Sequence, residues 1–450
     1  MTVTDGLGAH FALNYIDHRV YQYDGGAAWH AVSSPIVSQI GVDGGGRLYA
    51  LGVDHNVYEH DGGASWHADG GSASQIGVDG GGHLYALNYN DHNVYEHDGG
   101  ANWHADGNYI SQIGVDAGGH LYGLSLDNQV YEHDGGANWH VDAGNVSQIG
   151  VDAAGRLYAL NYGNHNVYEH DGGSNWHVDG TGVSQMGVDG GGFVYALNFV
   201  DHQVYEHDGG MNWHVDGASA GQIGVDAAGT LFALSLNTQI YQHDGGAGWH
   251  AIGGNAGQIG VDGGGYLYAL NSGDHKVYEH DAGASWHADG TYVSQIGVDA
   301  GGRLYGLSFN TQVYEHDGGA SWHVDAGNVS RIGVDATGRL YALNYVNHNV
   351  YEHVNAANWR VDGQGVGQMG VDGGGYLYAL NFVDHQVYEH DSGINWHVDG
   401  ASVSQIGIDA AGYLYAMSFN TQLYVHDGSA SWHPVAPSVA AGLNFPTRGR

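Results

Sequence analysis

The chain contains no cysteine, so neither disulfides nor thiolate metal sites can hold it together. Only four of its 450 residues are proline. They are Pro35 near the start and Pro434, Pro437 and Pro446 near the end, so no proline-rich hinge divides the middle. Basic residues are equally scarce, ten against 48 acidic ones, with Lys276 the single lysine. The formal net charge of −38 argues against nucleic acid or an anionic membrane as partner, because both need a basic surface. No run of 18 apolar residues occurs, which excludes a membrane-spanning helix. MTVTDGLGAH at the start shows neither the basic segment nor the apolar run of a signal peptide, so the location of the protein stays unknown. Helical periodicity is missing as well.

What is present is spread evenly. Glycine occurs 80 times and tyrosine 32 times, and 42% of residues are hydrophobic, enough for a packed core. Protonating all 33 histidines would move the charge from −38 to −5. Solubility and association should therefore respond to pH near the ordinary histidine pKa of about 6.5.

Twelve tryptophans, from Trp29 and Trp66 to Trp396 and Trp432, recur every 36 or 37 residues. They define one unit repeated twelve times over a single domain spanning 1–450. Within residues 74–110 the unit reads SQIGVD, a GGG turn, HLYALN, the loop YNDH, NVYEH, a DGG turn and ANWHADG. Segments of five to seven residues rich in Val, Ile, Tyr and Leu, punctuated by Asp-Gly or Gly-Gly, predict four antiparallel strands. Leu84 and Ala86 face one way on the second strand, Tyr85 and Leu87 the other. A sheet apolar on both faces must be sandwiched between neighbours. The predicted fold is therefore all-β, a β-propeller of twelve four-stranded antiparallel blades.

The order W-x-x-D-G, Ser-Gln-Ile-Gly-Val, Gly-x-Leu-Tyr-Ala-Leu and Val-Tyr resembles the tectonin repeat over essentially the whole chain. The resemblance to tectonin and tachylectin-like proteins implies a propeller lectin that recognises bacterial surface glycans. The number of units here is about twice the family's usual number.

Twelve blades fit a single closed ring, two six-bladed propellers, or an open solenoid. The expectation is the single ring, closed by pairing of N- and C-terminal segments, with 446–450 a disordered tail. The middle unit reads GQIGVDAAGTLFALS (221–235), a short turn that offers no passage from one ring to another. Twelve sheets about 10 Å apart imply a mid-blade radius of roughly 19 Å and an open tunnel. The glycine inside every SQIGVD, by contrast, suits a crowded small ring.

Variation in length falls on the loops between second and third strands and between units, which share one face, the usual mark of a binding face. The candidate ligand-binding pairs there are Asp17/His18, Asp54/His55, Asp91/His92, Asn164/His165, Asp201/His202, Asp274/His275, Asn347/His348 and Asp384/His385. Tyr15, Tyr89, Tyr162, Phe199 and Phe382 lie beside them, and sugars need both hydroxyl partners and a flat apolar surface. Plain hairpin chemistry explains the same residues, since Asn and Asp favour turns. The tryptophans are expected to anchor blade packing, and the histidine after each (His67, His104, His140) to bond a neighbouring blade. Asp43, Asp79 and Asp116 sit in Asp-Gly turns. No cofactor is indicated. A divalent cation stays open, including a Zn²⁺ or Ni²⁺ site spanning histidines of the His60 and His67 types. Near-equal units offer no unique catalytic constellation, and no hydrolase, zincin, Walker or dinucleotide motif occurs, so an enzyme is not expected. The reading is a monomeric, multivalent carbohydrate-binding propeller. The alternative is a structural scaffold whose acidic, His-rich surface serves assembly or cation binding.

Overall fold

The computed structural model is all-β. It describes residues 2–435 except 5–8, 15–18, 24–27 and 33–34 and one to five residues at a time in later turns. The tail at 446–450 lies outside the described residues. Twelve sheets each contain four consecutive strands in sequential order, and every pairing in them is antiparallel, as in unit 5. Unit 5 runs Val146–Val151, Leu157–Asn161, Asn166–His170 and Trp176–Thr181. Its first turn shows how short polar residues close each hairpin. Asp152 Oδ1 accepts the N–H groups of Ala154 and Arg156 at 2.9 and 2.8 Å, and Gly155 takes φ +75°, a conformation glycine adopts without strain. Asp43, Asp79 and Asp116 do the same in their turns, accepting from the residue four positions on at 2.8–2.9 Å.

The second strand of each unit is buried on both faces, as Leu157–Leu160 shows, so each blade packs between neighbours. Tyr158, Leu160 and Val167 of unit 5 form one cluster with Val183, Met186, Val194 and Ala196 of unit 6. Eleven such clusters occur among the described residues, one for each consecutive pair of units. The sixth and seventh units share one of them (Tyr195, Leu197 and Val204 with Ala220, Ile223 and Leu231). Among the described residues no cluster joins the twelfth unit to the first. Trp29 of unit 1 is 45% exposed, whereas later tryptophans pack on the unit before them.

The first strands line the axis. Each is tight against the next: a Cβ on Gly150 would lie 2.5 Å from Val188 Cγ2, and one on Gly114 2.9 Å from Val151 Cγ2. A glutamine on each first strand reaches the following one. Gln112 Oε1 accepts the Ile149 N–H at 2.8 Å and Gln148 Oε1 the Met186 N–H at 2.7 Å. Ten-ångström sheet spacing around an axis this crowded accommodates about six units.

Six is the number observed. Arg339 Nη2 of unit 10 donates to Leu126 O of unit 4 at 3.3 Å. Tyr376 Oη of unit 11 donates to Tyr162 O of unit 5 at 2.6 Å, and Tyr413 Oη of unit 12 to Val200 O of unit 6 at 3.2 Å. The charges of Arg303 and Asp299 in unit 9 act on His92 in unit 3. Every contact joins a unit to the sixth one after it. In a flat ring of twelve, such units would sit roughly 38 Å apart across the axis. The single closed ring is therefore overturned, and so are two separately closed propellers, because units 6 and 7 pack like any other pair. Propeller-type blades are wound as an open spiral of two turns, units 1–6 and 7–12. Closure through the chain ends is not seen among the described residues. Unit 1 supplies its own first strand, Thr2–Thr4, paired with His10–Ala12.

The inner-strand contact sets the winding, so Gly150→Ala is expected to destabilise the protein by about 1–3 kcal/mol through overpacking. Gly327→Ala, where an added Cβ meets nothing within 4 Å, should leave the urea midpoint unchanged. Equal midpoints for the two variants would refute the tight axis.

Candidate functional site

The loops between second and third strands were the expected site, and the structure gives them a task of their own. Each described histidine of the pairs (His55, His92, His165, His202, His275, His348, His385) lies in the left-handed region, φ 57–65°. In that conformation its carbonyl accepts the N–H that begins the next unit, as Val183 N to His165 O at 2.9 Å and Val366 N to His348 O at 2.9 Å. The acid or amide before it closes the hairpin. Asp91 accepts from Asn93 N at 3.0 Å and from Tyr95 Oη at 2.8 Å. Asp54, Asp201, Asp274 and Asp384 repeat this with Tyr58, Tyr205, Tyr278 and Tyr388 at 2.5–2.8 Å. Asn164 and Asn347 reverse the polarity and donate from Nδ2 to Tyr168 and Tyr351 Oη at 2.9 Å. The Tyr278 hydrogen bond holds the Asp274 carboxyl below its ordinary range. For Asp54, burial opposes but the Tyr58 and Asn56 hydrogen bonds win, so its pKa is lowered too. Asp17 and His18, with Tyr15 and Tyr89, lie outside the described residues.

The spiral divides these loops into two populations. Those of units 2–6 face the second turn across a seam. There His165 packs between Phe199 (4.7 Å) and Tyr376 of unit 11 (5.2 Å, edge-on), and His202 meets Tyr413 edge-on at 5.6 Å. The loops of units 8–12 form the open end. His348 packs against Phe382 at 4.7 Å, tilted, and His385 meets Phe419 edge-on at 4.7 Å, and no ring of another turn covers them among the described residues. Burial follows the same split. His165 is 6% exposed while its counterpart His348 is exposed. Tyr162 and Phe199 are half-buried, whereas Tyr345 and Phe382 are 46% and 47% exposed. Thus Asp54/His55, Asp91/His92, Asn164/His165 and Asp201/His202 lie in the seam, and only Asp274/His275, Asn347/His348 and Asp384/His385 lie on the open end.

The histidines that bond neighbouring blades are not those after the tryptophans. His67 pairs with Asp61 and Glu59 of its own unit at 2.6 and 3.8 Å, and His140 and His177 likewise face Glu132 and Glu169. The staple comes from the third strand. His97 of unit 3 places Nε2 3.0 Å from Asp69 Oδ2 of unit 2 and Nδ1 3.4 Å from Tyr49 Oη, while Trp103 Nε1 donates to Asp69 O at 3.1 Å. Tryptophans serve as packing anchors in this way along the chain, as Trp176 to Asp142 at 2.8 Å and Trp249 to Asp216 at 2.8 Å. The strand geometry explains the reversal. His60 pairs with Trp66 and Glu59 with His67, and successive positions point to opposite faces. Within one unit, histidines of the His60 and His67 types therefore point to opposite faces of the sheet and do not share a metal ion there. At Arg360 the chain substitutes a permanent cation, which pairs with Glu352.

Two groups of donors gather elsewhere among the described residues: Glu59, His67 and Asp69, and Glu389, Asp399 and His426, each within 4.8 Å. Neither supplies the six to eight oxygens calcium takes. In the second group, burial lowers the His426 pKa, but the hydrogen bond and charge of Asp399 outweigh it and raise the value. Burial and the nearby Asp399 push Glu389 up.

The axial channel has a volume of about 1930 Å³ and is lined by the Ser, Gln, Ile, Gly and Val of the first strands. Arg331 replaces glutamine once and donates to Met369 O at 2.6 Å. Sequence reasoning missed the seam residues Arg303, Arg339, Tyr376 and Tyr413. The available signal was the position before each second strand, the most varied one inside an otherwise constant hairpin.

No protein-family model matches the chain, and no curated protein matches it. Solved structures similar to it include the extracellular domain of BT4673 from B. thetaiotaomicron, at 10% identity over 97% of this chain and 77% of that one, TM-score 0.32. PorZ of Porphyromonas gingivalis is similar at 14% identity over 97% and 80%, TM-score 0.31. Virginiamycin B lyase from Staphylococcus aureus covers 52% of this chain and 91% of its own at 8% identity, TM-score 0.34. Likenesses at this level fix neither family nor function.

Burial lowers the pKa of His92 and of His165. Their neutral forms are favoured in the fold, so the stability they contribute is present above about pH 6.5 and lost as pH falls through the folded values. Amide exchange at residues 162–165 is therefore expected to quicken between pH 7.5 and pH 5, after correction for intrinsic rates. The matching loop 345–348 on the open end should hold its protection. Parallel behaviour of the two loops would contradict the seam.

Proposed function

We propose that this chain is a non-enzymatic structural scaffold, a stiff acidic spiral that presents the same loop at regular intervals. One observation carries the reading. The polar groups that looked available in the sequence are spent inside the fold, on hairpins, on the next unit and on the staple. Repeat arrays of this kind offer an extended surface of equivalent positions, and the surface here carries the net charge of −38.

A second reading, glycan binding, is favoured by one feature of the open end. Phe309, Tyr345, Phe382 and Phe419 are 46–57% exposed, each on the loop of a successive unit, three of them in edge-on or tilted contact with a histidine. Exposed rings beside imidazole, amide and carboxylate groups are suited to the C–H faces and hydroxyls of sugars. Weak sites would then sum by avidity.

A glycan array at neutral pH, with and without EDTA, separates the readings. The scaffold reading expects no glycan to be retained in either condition. Retention of a glycan by the native chain, lost at least tenfold in Phe382→Ala, would replace it with the second reading.

A further inference from the structure

The seam is an interface between two turns of one chain, and both of its surfaces occur again, uncovered, at the two ends of the spiral. We infer that the open end of one copy receives the first turn of another, so that the chain stacks end to end. This rests on the scaffold reading and names its partner, a second copy.

Register follows from the rule that each unit sits on the sixth before it. A second copy's unit 2 would lie on unit 8, and its unit 6 on unit 12. In the seam the upper surface contributes the residue just before each second strand, such as Arg339, Tyr376 and Tyr413, which donates to a loop carbonyl below. In the first turn the equivalent residues are Arg47, His83, His120, Arg156 and Phe193. Their uncovered state is visible: the Arg47, His83 and His120 side chains are 31%, 50% and 45% exposed, against 15% and 19% for Arg303 and Arg339 of the second turn.

Chemistry matches at that register. Arg47 would meet the loop of Asp274, and Arg156 the loop of Asp384. Phe193, 46% exposed, would meet Phe419, 53% exposed. Arginine over an acidic loop already occurs inside the chain, where Arg303 acts on His92 beside Asp91. Aromatic over histidine occurs at Tyr376 and His165. The two surfaces differ, so the contact is head-to-tail and does not close; copies would add without limit into rods. The net charge of −38 per copy opposes this, and salt screens that repulsion, the Debye length falling from about 10 Å at 0.1 M to about 3 Å at 1 M.

The test is sedimentation velocity with electron microscopy on the full chain at 0.05 and 0.5 M NaCl. A 47.6 kDa monomer is expected at low salt, and multiples of it, seen as rods, at high salt. Phe193→Asp blocks one end and Phe419→Asp the other. Both residues are exposed, and unchanged circular dichroism confirms folding. Each variant alone should stay monomeric at 0.5 M NaCl, and an equal mixture should form a two-chain complex and nothing longer. A native chain that remains monomeric at 0.1 mM in 0.5 M NaCl overturns the proposal, as does assembly of either variant alone. Such a failure leaves the scaffold reading standing, whereas a positive glycan array would remove that reading without touching the stacking result.

Discussion

Everything in this molecule depends on how one blade meets the next. A buried tyrosine, an aspartate and the following blade's histidine and tryptophan fix the outer part of that contact. A glycine facing a valine, with a glutamine bridging to the next backbone, fixes the inner part. The rotation between neighbours is thereby nearly the same eleven times over. A rotation that spends one turn in six units, with nothing among the described residues to join the last unit to the first, produces a spiral.

The spiral in turn decides what the loops do. A flat ring would leave all twelve variable loops on one open face, equivalent and solvent-facing. Winding places the loops of units 2–6 under the second turn and leaves those of units 8–12 free. Near-identical sequences then have different surroundings: the loop containing Asn164 and His165 is packed beneath Tyr376, while that of Asn347 and His348 faces water. Burying neutral imidazoles in the seam ties its integrity to pH. The staple histidine His426 behaves oppositely, because a buried aspartate beside it favours the charged form.

Strand count, repeat length, turn chemistry and the packing role of the tryptophans were legible in the sequence, since each follows from local pattern. The inner glycine even pointed to a crowded axis. The closed ring was the wrong inference, because closure depends on a small rotation between blades that no motif encodes. Loop similarity gave no help. The loops of units 6 and 11, NFVDH at 198–202 and 381–385, are identical but five units apart, so they do not stack. The Asp-His pairs were seen as candidates and also as turn residues, and the geometry gives them the turn. The histidine after each tryptophan was expected to bond the neighbouring blade. Strand alternation turns it outward and places the third-strand histidine inward instead.

The claim that units n and n+6 stack is open to one direct measurement. The absence of cysteine allows two to be introduced alone, at the equivalent exposed positions His177 in unit 5 and His397 in unit 11, and spin-labelled. The distance between them by double electron–electron resonance should be about 20 Å, one blade height for strands of five or six residues. A distance beyond about 50 Å, the span between outer strands across a flat ring of twelve whose blade centres lie roughly 38 Å apart, would contradict the spiral.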